Sequence, residues 1–236
     1  MRVDRFGDLD ATLAGGTDGK GGGDGPIVVL LHGFGAPGDD LVPLAQVLGA
    51  PAGTRFLFPR APVELPGMFG DARAWWMIDV EKLQRDLAAG RARDLSEDEP
   101  EGLPDARAKM ASFLASLDSR LGASAPLVLG GFSQGAMLAL DTVLHVERPL
   151  AGLVALSGTL LSAKTWVPRM PARADLPVFQ SHGRADPLLP FSVAEMLKDE
   201  LRGAGLSVTW EPFEGGHEIP PPVLDKLGAF LRTQLR

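Results

Sequence analysis

The chain contains no cysteine among its 236 residues. Disulfide bonds, thiolate metal sites and a cysteine nucleophile are therefore excluded. A chain without cysteine is compatible with a reducing compartment, and we expect a cytoplasmic protein. Neither a metal nor a cofactor is predicted.

Basic charge and long apolar runs are also scarce. Lys and Arg number 23 against 30 Asp and Glu, which gives a net charge of −7 and a pI of about 5.1. Nucleic acids and anionic membrane surfaces bind basic patches, so neither partner is predicted. No signal-peptide core is visible in the first 13 residues, and no apolar run has the length of a membrane span. We expect one soluble domain over residues 1–236.

Short aliphatic runs alternate with amphipathic segments, which favours an α/β fold with a mostly parallel central sheet and helices on both faces. Residues 3–13 predict two short edge strands, and the glycine-dense residues 15–25 a solvated loop. The remaining predicted strands are 27–31, 55–58, 127–129, 153–156, 177–180 and 207–210. Apolar stripes at helical spacing predict helices at 39–48, 105–121, 134–144, 193–201 and 223–231.

The sequence Gly131-Phe132-Ser133-Gln134-Gly135 joins a predicted buried strand to a predicted helix. Glycine is needed two positions on either side of Ser133, because side chains would collide in so tight a turn. Such an elbow exposes the serine hydroxyl at the sheet edge, where the helix N-terminus favours an oxyanion. Ser133 is therefore the predicted nucleophile, and a serine that only caps the helix is the alternative.

A serine nucleophile requires a base, and the chain has four histidines. His145 lies too far along the elbow helix to reach Ser133, and its position suits capping of carbonyls. His32 and His182 each follow a strand and precede a glycine, which favours bracing of a loop. His217 follows the last strand on a glycine-containing loop, and it is the predicted base.

The acid that orients the base is expected between the nucleophile and the histidine in chain order. Asp186 fits this order and emerges at the same sheet edge, just past the strand at 177–180. Asp175 precedes that strand, and Glu195 and Asp199 lie on a helix face. Asp186 is therefore the predicted acid, with a turn residue before Pro187 as the alternative.

An oxyanion hole requires two backbone donors. The amide of Gln134 directly follows the nucleophile. The second donor is expected after the strand at 27–31, where the Phe34 amide is favoured and Gly35 is the alternative.

The alternation of strands and helices loosens at about 63–104, which predicts an insert or lid there. An aromatic patch there either lines a substrate pocket or fills the core, since aromatic side chains are common in both settings. The charged residues 81–101 are expected to form a solvated excursion. The predicted pocket residues are Met68, Phe69, Trp75, Trp76 and Leu188.

Six motifs follow one another over residues 27–236. They are Leu31-His32-Gly33-Phe34-Gly35, Phe58-Pro59-Arg60-Ala61-Pro62, Gly131-Phe132-Ser133-Gln134-Gly135, Leu156-Ser157-Gly158, His182-Gly183-Arg184-Ala185-Asp186-Pro187 and Gly215-Gly216-His217. Together they resemble the phospholipase/carboxylesterase family of α/β-hydrolases, which includes the acyl-protein thioesterases.

The resemblance implies a catalytic triad of Ser133, Asp186 and His217, with Phe34 and Gln134 as oxyanion donors. Two departures stand out: Ala136 replaces a glycine usual in the family, and the excursion at 75–101 is longer than in compact members.

We therefore expect a serine hydrolase that cleaves carboxylic esters of short to medium acyl chains through an acyl-enzyme. Thioesters and lysophospholipids are alternative substrates, and a catalytically silent protein of the same fold that only binds a small ligand is the alternative function.

Overall fold

The computed structural model describes residues 1–66, 70–90 and 93–236. The strands are β1 (Arg2–Phe6), β2 (Leu9–Gly16), β3 (Lys20–Gly22), β4 (Ile27–Leu31), β5 (Arg55–Pro59), β6 (Val63–Glu64), β7 (Arg73–Ala74), β8 (Leu127–Phe132), β9 (Gly152–Leu156), β10 (Pro177–Gly183) and β11 (Ser207–Phe213). The helices are α1 (Leu44–Val47), α2 (Val80–Ala88), α3 (Leu103–Leu121), α4 (Gln134–His145), α5 (Ala163–Trp166), α6 (Phe191–Gly203) and α7 (Pro221–Gln234), and a 3₁₀ helix spans Val167–Arg173.

The main sheet has nine strands within the described residues, in the order β1-β2-β5-β4-β8-β9-β10-β11, with β3 beside β2. The strands from β5 to β11 in this order are parallel. Strand β2 pairs antiparallel with β1 and β5 and parallel with β3. The small sheet β6-β7 lies outside it. The predicted mostly parallel sheet is confirmed. Two strands form at the N-terminus as predicted, but of these only β1 lies at the edge, because β2 lies between β1 and β5.

Helices cover both faces of this sheet, as predicted. Along β4 the side chains alternate between two separate apolar clusters. Ile27, Val29 and Leu31 belong to the cluster that includes residues of α3, α4 and α6, and Val28 and Leu30 belong to the one that includes residues of α7. A strand that is buried on both faces needs no polar side, which explains the purely aliphatic sequence of β4. No helix of the described residues is long and apolar enough to cross a membrane.

The strand order reverses direction beside β4. The chain leaves β4 for β5 on one side, whereas β8, the neighbour on the other side, leads on to β9. The loops after β4 and β8 therefore diverge at the carboxyl edge of the sheet, and such a crevice is where open α/β sheets place their ligands.

The predicted helix at 39–48 is wrong in extent, because only Leu44–Val47 is helical. Pro43 lacks the amide hydrogen that would bond to Asp39 in a continuous helix. The preceding residues instead form tight turns, in which Val42 N–H donates to the Asp39 carbonyl at 3.1 Å.

Two other segments are more ordered than the sequence predicts. The glycine-dense segment at 15–25 contributes β3 to the sheet. In the excursion at 81–101, Ser96 is buried and its carbonyl accepts the Ala163 amide at 2.7 Å, while the Ser162 hydroxyl donates to the Asp98 carbonyl at 2.9 Å. This end of the excursion is therefore fastened to the start of α5.

Candidate active site

Ser133 occupies a strained turn between β8 and α4. Its backbone has φ 55° and ψ −120°, a left-handed conformation that a non-glycine residue rarely adopts. A Cβ atom on Gly131 would lie 2.6 Å from the Gly135 carbonyl carbon, and one on Gly135 would lie 2.2 Å from the Leu31 carbonyl oxygen. Both glycines are thus required by close backbone contact, as the elbow interpretation predicts.

Ser133, His217 and Asp186 lie in one hydrogen-bonded chain. Ser133 Oγ is 2.8 Å from His217 Nε2, and His217 Nδ1 is 2.7 Å from Asp186 Oδ2. The carboxylate can only accept, so Nδ1 carries the ring proton and Nε2 is free to accept the serine hydrogen. The sequence-predicted nucleophile, base and acid are therefore brought together in the order that general-base activation requires.

The loops that carry the acid and the base are fastened to each other. Strand β10 continues beyond its predicted end at 180 and pairs with β11 as far as Gly183 opposite Phe213. A Cβ atom on Gly183 would lie 2.1 Å from the Gly216 carbonyl oxygen, and the Ala185 amide donates to the Gly215 carbonyl at 2.9 Å. Glycine at 183 thus allows the His217 loop to cross directly over the end of β10.

Asp186 is a buried carboxylate with donors on both oxygens. The amides of Leu188 and Leu189 donate to Oδ1 at 2.8 and 3.0 Å, and His217 donates to Oδ2. Burial alone would raise the pKa of this carboxyl, but the bond and charge of His217 and the two amides outweigh burial and hold the pKa below its ordinary value. Asp186 is therefore ionised at neutral pH.

The other histidines have structural partners. His32 Nδ1–H donates to the Gly33 carbonyl at 2.8 Å, and its Nε2 accepts the Ala61 amide at 3.0 Å. Burial lowers the pKa of His32 to about 4. His145 donates from Nδ1 to the Asp141 carbonyl at 2.7 Å, which is the carbonyl contact expected near the end of α4.

His182 packs beneath the acid rather than beside the nucleophile. Its Nε2 lies 2.9 Å from the Leu189 carbonyl and 3.3 Å from Asp186 Oδ2. Burial is the main cause that lowers the pKa of this ring, so a neutral His182 donates its hydrogen to the turn that holds Asp186.

The hydrogen bonds around the Phe34 loop distinguish the two candidate oxyanion donors. The Gly35 amide donates to the Arg73 carbonyl at 2.8 Å and is therefore engaged. The Phe34 amide has no acceptor within the described part of the chain. Gln134 is the first residue of α4, where amides lack partners within the helix. Phe34 and Gln134 are thus the amides free to bind an oxyanion.

A cavity of about 420 Å³ opens above Ser133 and His217. Its lining contains both apolar and charged residues. The apolar lining residues are Phe34, Trp76, Met77, Ile78, Leu83, Leu95, Phe132, Met137, Leu161, Leu188 and Leu189, and the charged ones are Asp79, Arg93, Asp98 and Glu99. An apolar cavity of this size beside a nucleophile can hold the acyl part of an ester.

Only some of the predicted pocket residues line the cavity. Trp76 and Leu188 line the cavity. Met68 and Phe69 lie outside the described residues. Trp75 is not among the residues that line the cavity, and its indole N–H instead donates to the His32 carbonyl at 2.9 Å. The prediction that Trp75 lines the pocket is therefore wrong. The side chains of Trp75 and Trp76 point to opposite sides of the chain, so only Trp76 reaches the cavity.

Several cavity residues were not predicted. Met77 and Ile78 belong to the same apolar patch as Trp76, and their hydrophobicity beside two tryptophans was the available signal. Leu161 and Met137 carry no such signal, because Leu161 follows β9 in an irregular segment and Met137 occupies an apolar position of α4 typical of any core helix.

Ala136, which departs from the family pattern, fits without rearrangement. Its side chain is buried against Gly158, where an added Cβ would lie 2.8 Å from the Ala136 Cβ. The absence of a side chain at 158 thus makes room for the methyl group at 136.

Residues 20–235 match the family model described as Phospholipase/Carboxylesterase. An acyl-protein thioesterase 1 of Neurospora crassa is 30% identical over 188 residues, which cover 77% of this chain and 74% of that protein. An acyl-protein thioesterase 1 of Gibberella zeae is 39% identical over 113 residues, but this match spans only 46% of the chain and 48% of that relative.

A solved structure, that of esterase PE8, superposes with a TM-score of 0.77 at 30% identity and covers 96% of this chain and 99% of its own. This superposition also covers residues before position 20, where the family model begins, so the similarity extends over almost the whole sheet. The chain therefore belongs to the phospholipase/carboxylesterase family of α/β-hydrolases, and it is a serine hydrolase of the esterase and thioesterase type.

Proposed function

We propose that this enzyme hydrolyses carboxylic esters of short to medium acyl chains through an acyl-enzyme at Ser133. The hydrogen-bonded chain from Ser133 Oγ through His217 to Asp186 carries the proposal. Acyl-protein thioesters and lysophospholipids are further candidates, and the names of the relatives favour a thioester.

In the first half-reaction, Ser133 Oγ attacks the substrate carbonyl carbon while its proton passes to His217 Nε2. The ionised Asp186 stabilises the imidazolium that results. The carbonyl oxygen becomes an oxyanion, which the amides of Phe34 and Gln134 bind. When the bond from the acyl carbon to the ester oxygen or thioester sulfur breaks, His217 gives its proton to the departing alcohol or thiol.

In the second half-reaction, water attacks the acyl-serine ester and gives its proton to His217. Collapse of the new tetrahedral intermediate releases the carboxylic acid, and the proton on His217 returns to Ser133 Oγ. The histidine thus acts once as base and once as acid in each half-reaction.

The apolar part of the cavity supports a preference for acyl chains of a certain length. Each methylene that leaves water for this cavity contributes up to about 0.8 kcal/mol. A volume of about 420 Å³ is finite, so the gain should end when the chain fills the apolar part. Contact with the charged lining residues would disfavour apolar chains that extend beyond the apolar part.

A panel of p-nitrophenyl esters from acetate to palmitate, measured beside an acyl thioester, tests the proposal. We expect kcat/KM to rise and then fall with chain length, and a fluorophosphonate to label one serine per chain. Ser133→Ala should abolish labelling and lower kcat by about 10⁴- to 10⁶-fold. Ser119→Ala, on the exposed surface of α3, is the control that retains both.

The silent ligand-binding alternative predicts neither turnover nor labelling of the wild-type protein. Turnover that persists undiminished in Ser133→Ala would refute the serine mechanism. A cytoplasmic location stays a prediction from the sequence.

A further inference from the structure

Two loops supply the proposed oxyanion donors, and no hydrogen bond joins them directly within the described residues. One loop follows β4 and carries Phe34; the other is the elbow and carries Gln134. An oxyanion requires both donors about 2.7–3.1 Å from one point, so the spacing between the loops must be fixed.

Trp75 bridges these two loops through hydrogen bonds. Its indole N–H donates to the His32 carbonyl at 2.9 Å, two residues before Phe34. Its backbone N–H donates to Gln134 Oε1 at 2.9 Å. The same Gln134 side chain donates from Nε2 to the Trp76 carbonyl at 2.8 Å, which fixes the amide orientation.

Packing adds rigidity to this bridge. The rings of Trp75 and His32 are 5.4 Å apart, and His32 is itself held at both nitrogens by Gly33 and Ala61. Trp75 is 2 % exposed and Gln134 is 3 % exposed, so no water competes for these bonds. A second hydrogen bond holds the Phe34 loop nearby: the carbonyl of Arg73, two residues before Trp75, accepts the Gly35 amide at 2.8 Å.

We propose that Trp75 is a positioning residue that sets the distance between the Phe34 and Gln134 amides, with its indole N–H holding one loop and its backbone N–H the other. This inference rests on the proposed function, because it assigns a role to those two amides in catalysis. It adds that the aromatic segment after β7 is part of the catalytic framework as well as a wall of the substrate cavity.

The variant Trp75→Phe removes the indole N–H and keeps the backbone N–H and most of the ring volume. A misplaced donor weakens the transition state but not substrate binding, so we expect kcat to fall about 10- to 100-fold with KM within about 3-fold. The loss should be equal for acetate and octanoate esters, and the pH profile should keep its shape. A trifluoromethyl ketone, which forms an oxyanion on Ser133, should lose affinity by the same factor as kcat.

Trp166→Phe is the matched control. Trp166 is also fully buried, and its indole N–H donates to Asp141 Oδ1 at 2.8 Å without contact to either loop. This variant should lose a comparable amount of thermal stability and retain kcat and inhibitor affinity. A structural role alone would make the two variants alike.

Gln134→Met tests the bridge from its other end, and it serves if Trp75→Phe does not fold. It removes the acceptor of the Trp75 amide and leaves the Gln134 backbone in place, so the same parallel loss of kcat and inhibitor affinity is expected. Wild-type kcat and inhibitor affinity in these variants would overturn the inference, as would a loss confined to KM for long chains. Activity retained in Ser133→Ala would instead signal failure of the proposed function.

Discussion

His217 Nδ1 lies 2.7 Å from Oδ2 of Asp186, and the opposite oxygen of that carboxylate accepts two backbone amides. The turn at 186–189 thus fixes one oxygen and His217 bonds to the other, so the carboxylate cannot rotate without losing bonds. The direction of the histidine ring is therefore set by the backbone of β10 and the turn that follows it.

Asp186→Asn should lower kcat by about 10³- to 10⁴-fold and leave the fold intact. An amide in place of the carboxylate can donate to His217 and favour the wrong tautomer, and it does not stabilise the imidazolium. Steady-state kinetics and circular dichroism check both halves of the expectation.

Asp175→Asn is the control for this change. Asp175 has φ 67°, a left-handed conformation that asparagine also tolerates, and it precedes β10 at the opposite end of the strand. If Asp175→Asn were the damaging variant, the assignment of Asp186 as the acid would be wrong.

Hydrolysis should be slower in mildly acidic than in neutral solution, because a histidine base must be neutral to accept the proton of Ser133. The profile of kcat/KM against pH measures this. His32 and His182 do not confuse the result, since burial lowers the pKa of each and that of His32 to about 4. A rate independent of pH over this range would contradict a histidine base.

Trp76→Ala should flatten the dependence of kcat/KM on acyl chain length and leave acetate turnover within a few-fold. The ring forms part of the cavity wall, and its removal leaves part of the chain in water at up to about 0.8 kcal/mol per methylene. Trp75→Ala should instead cost about 3–5 kcal/mol of stability and reduce turnover of all chain lengths alike. Chain-length profiles and melting curves of the two variants distinguish them, and an unchanged profile in Trp76→Ala would remove Trp76 from the pocket.

The free energy of unfolding should fall as the pH drops from about 6.5 towards 4, because of His32. Its pKa in the folded protein, about 4, lies below the ordinary 6.5, so the unfolded chain takes up a proton in this window and the folded one does not. Stability is complete above the window and decreases by up to about 3 kcal/mol through it. Asp186, whose pKa is also lowered, adds its own loss only at more acidic pH.

Urea unfolding at several pH values measures this slope, and His32→Gln is the comparison. Glutamine can accept the Ala61 amide but does not titrate, so the variant should show a smaller decrease. The remainder comes from His182, whose pKa burial also lowers. Identical slopes for the two proteins would show that His32 is not responsible.

Much of the fold was accessible from sequence because its signals are local. The aliphatic run of β4 and the glycines at 131 and 135 each reflect contacts with the adjacent sheet, and they predicted the strands and the elbow. The prediction of a helix over 39–48 is wrong because the apolar stripe does not reflect that Pro43 lacks an amide hydrogen.

The two tryptophans show what local signals do not contain. Trp75 and Trp76 are adjacent and chemically identical, yet one bonds to the His32 carbonyl and the other faces the cavity. The Gln134 side chain, 58 residues from Trp76 in sequence, bonds to the backbone of both. Such a partnership forms only when β8 and the excursion meet in space, so composition and periodicity could not reveal it.

The position of β11 at the edge of the sheet has a consequence for the working range of the enzyme. Ser133 follows the interior strand β8, whereas His217 follows β11, which pairs with β10 alone among the described strands. Edge elements open at a lower free energy than interior strands. Heating can therefore detach the base while the nucleophile is still in its folded setting, so hydrolysis should cease several degrees below the melting temperature of the chain.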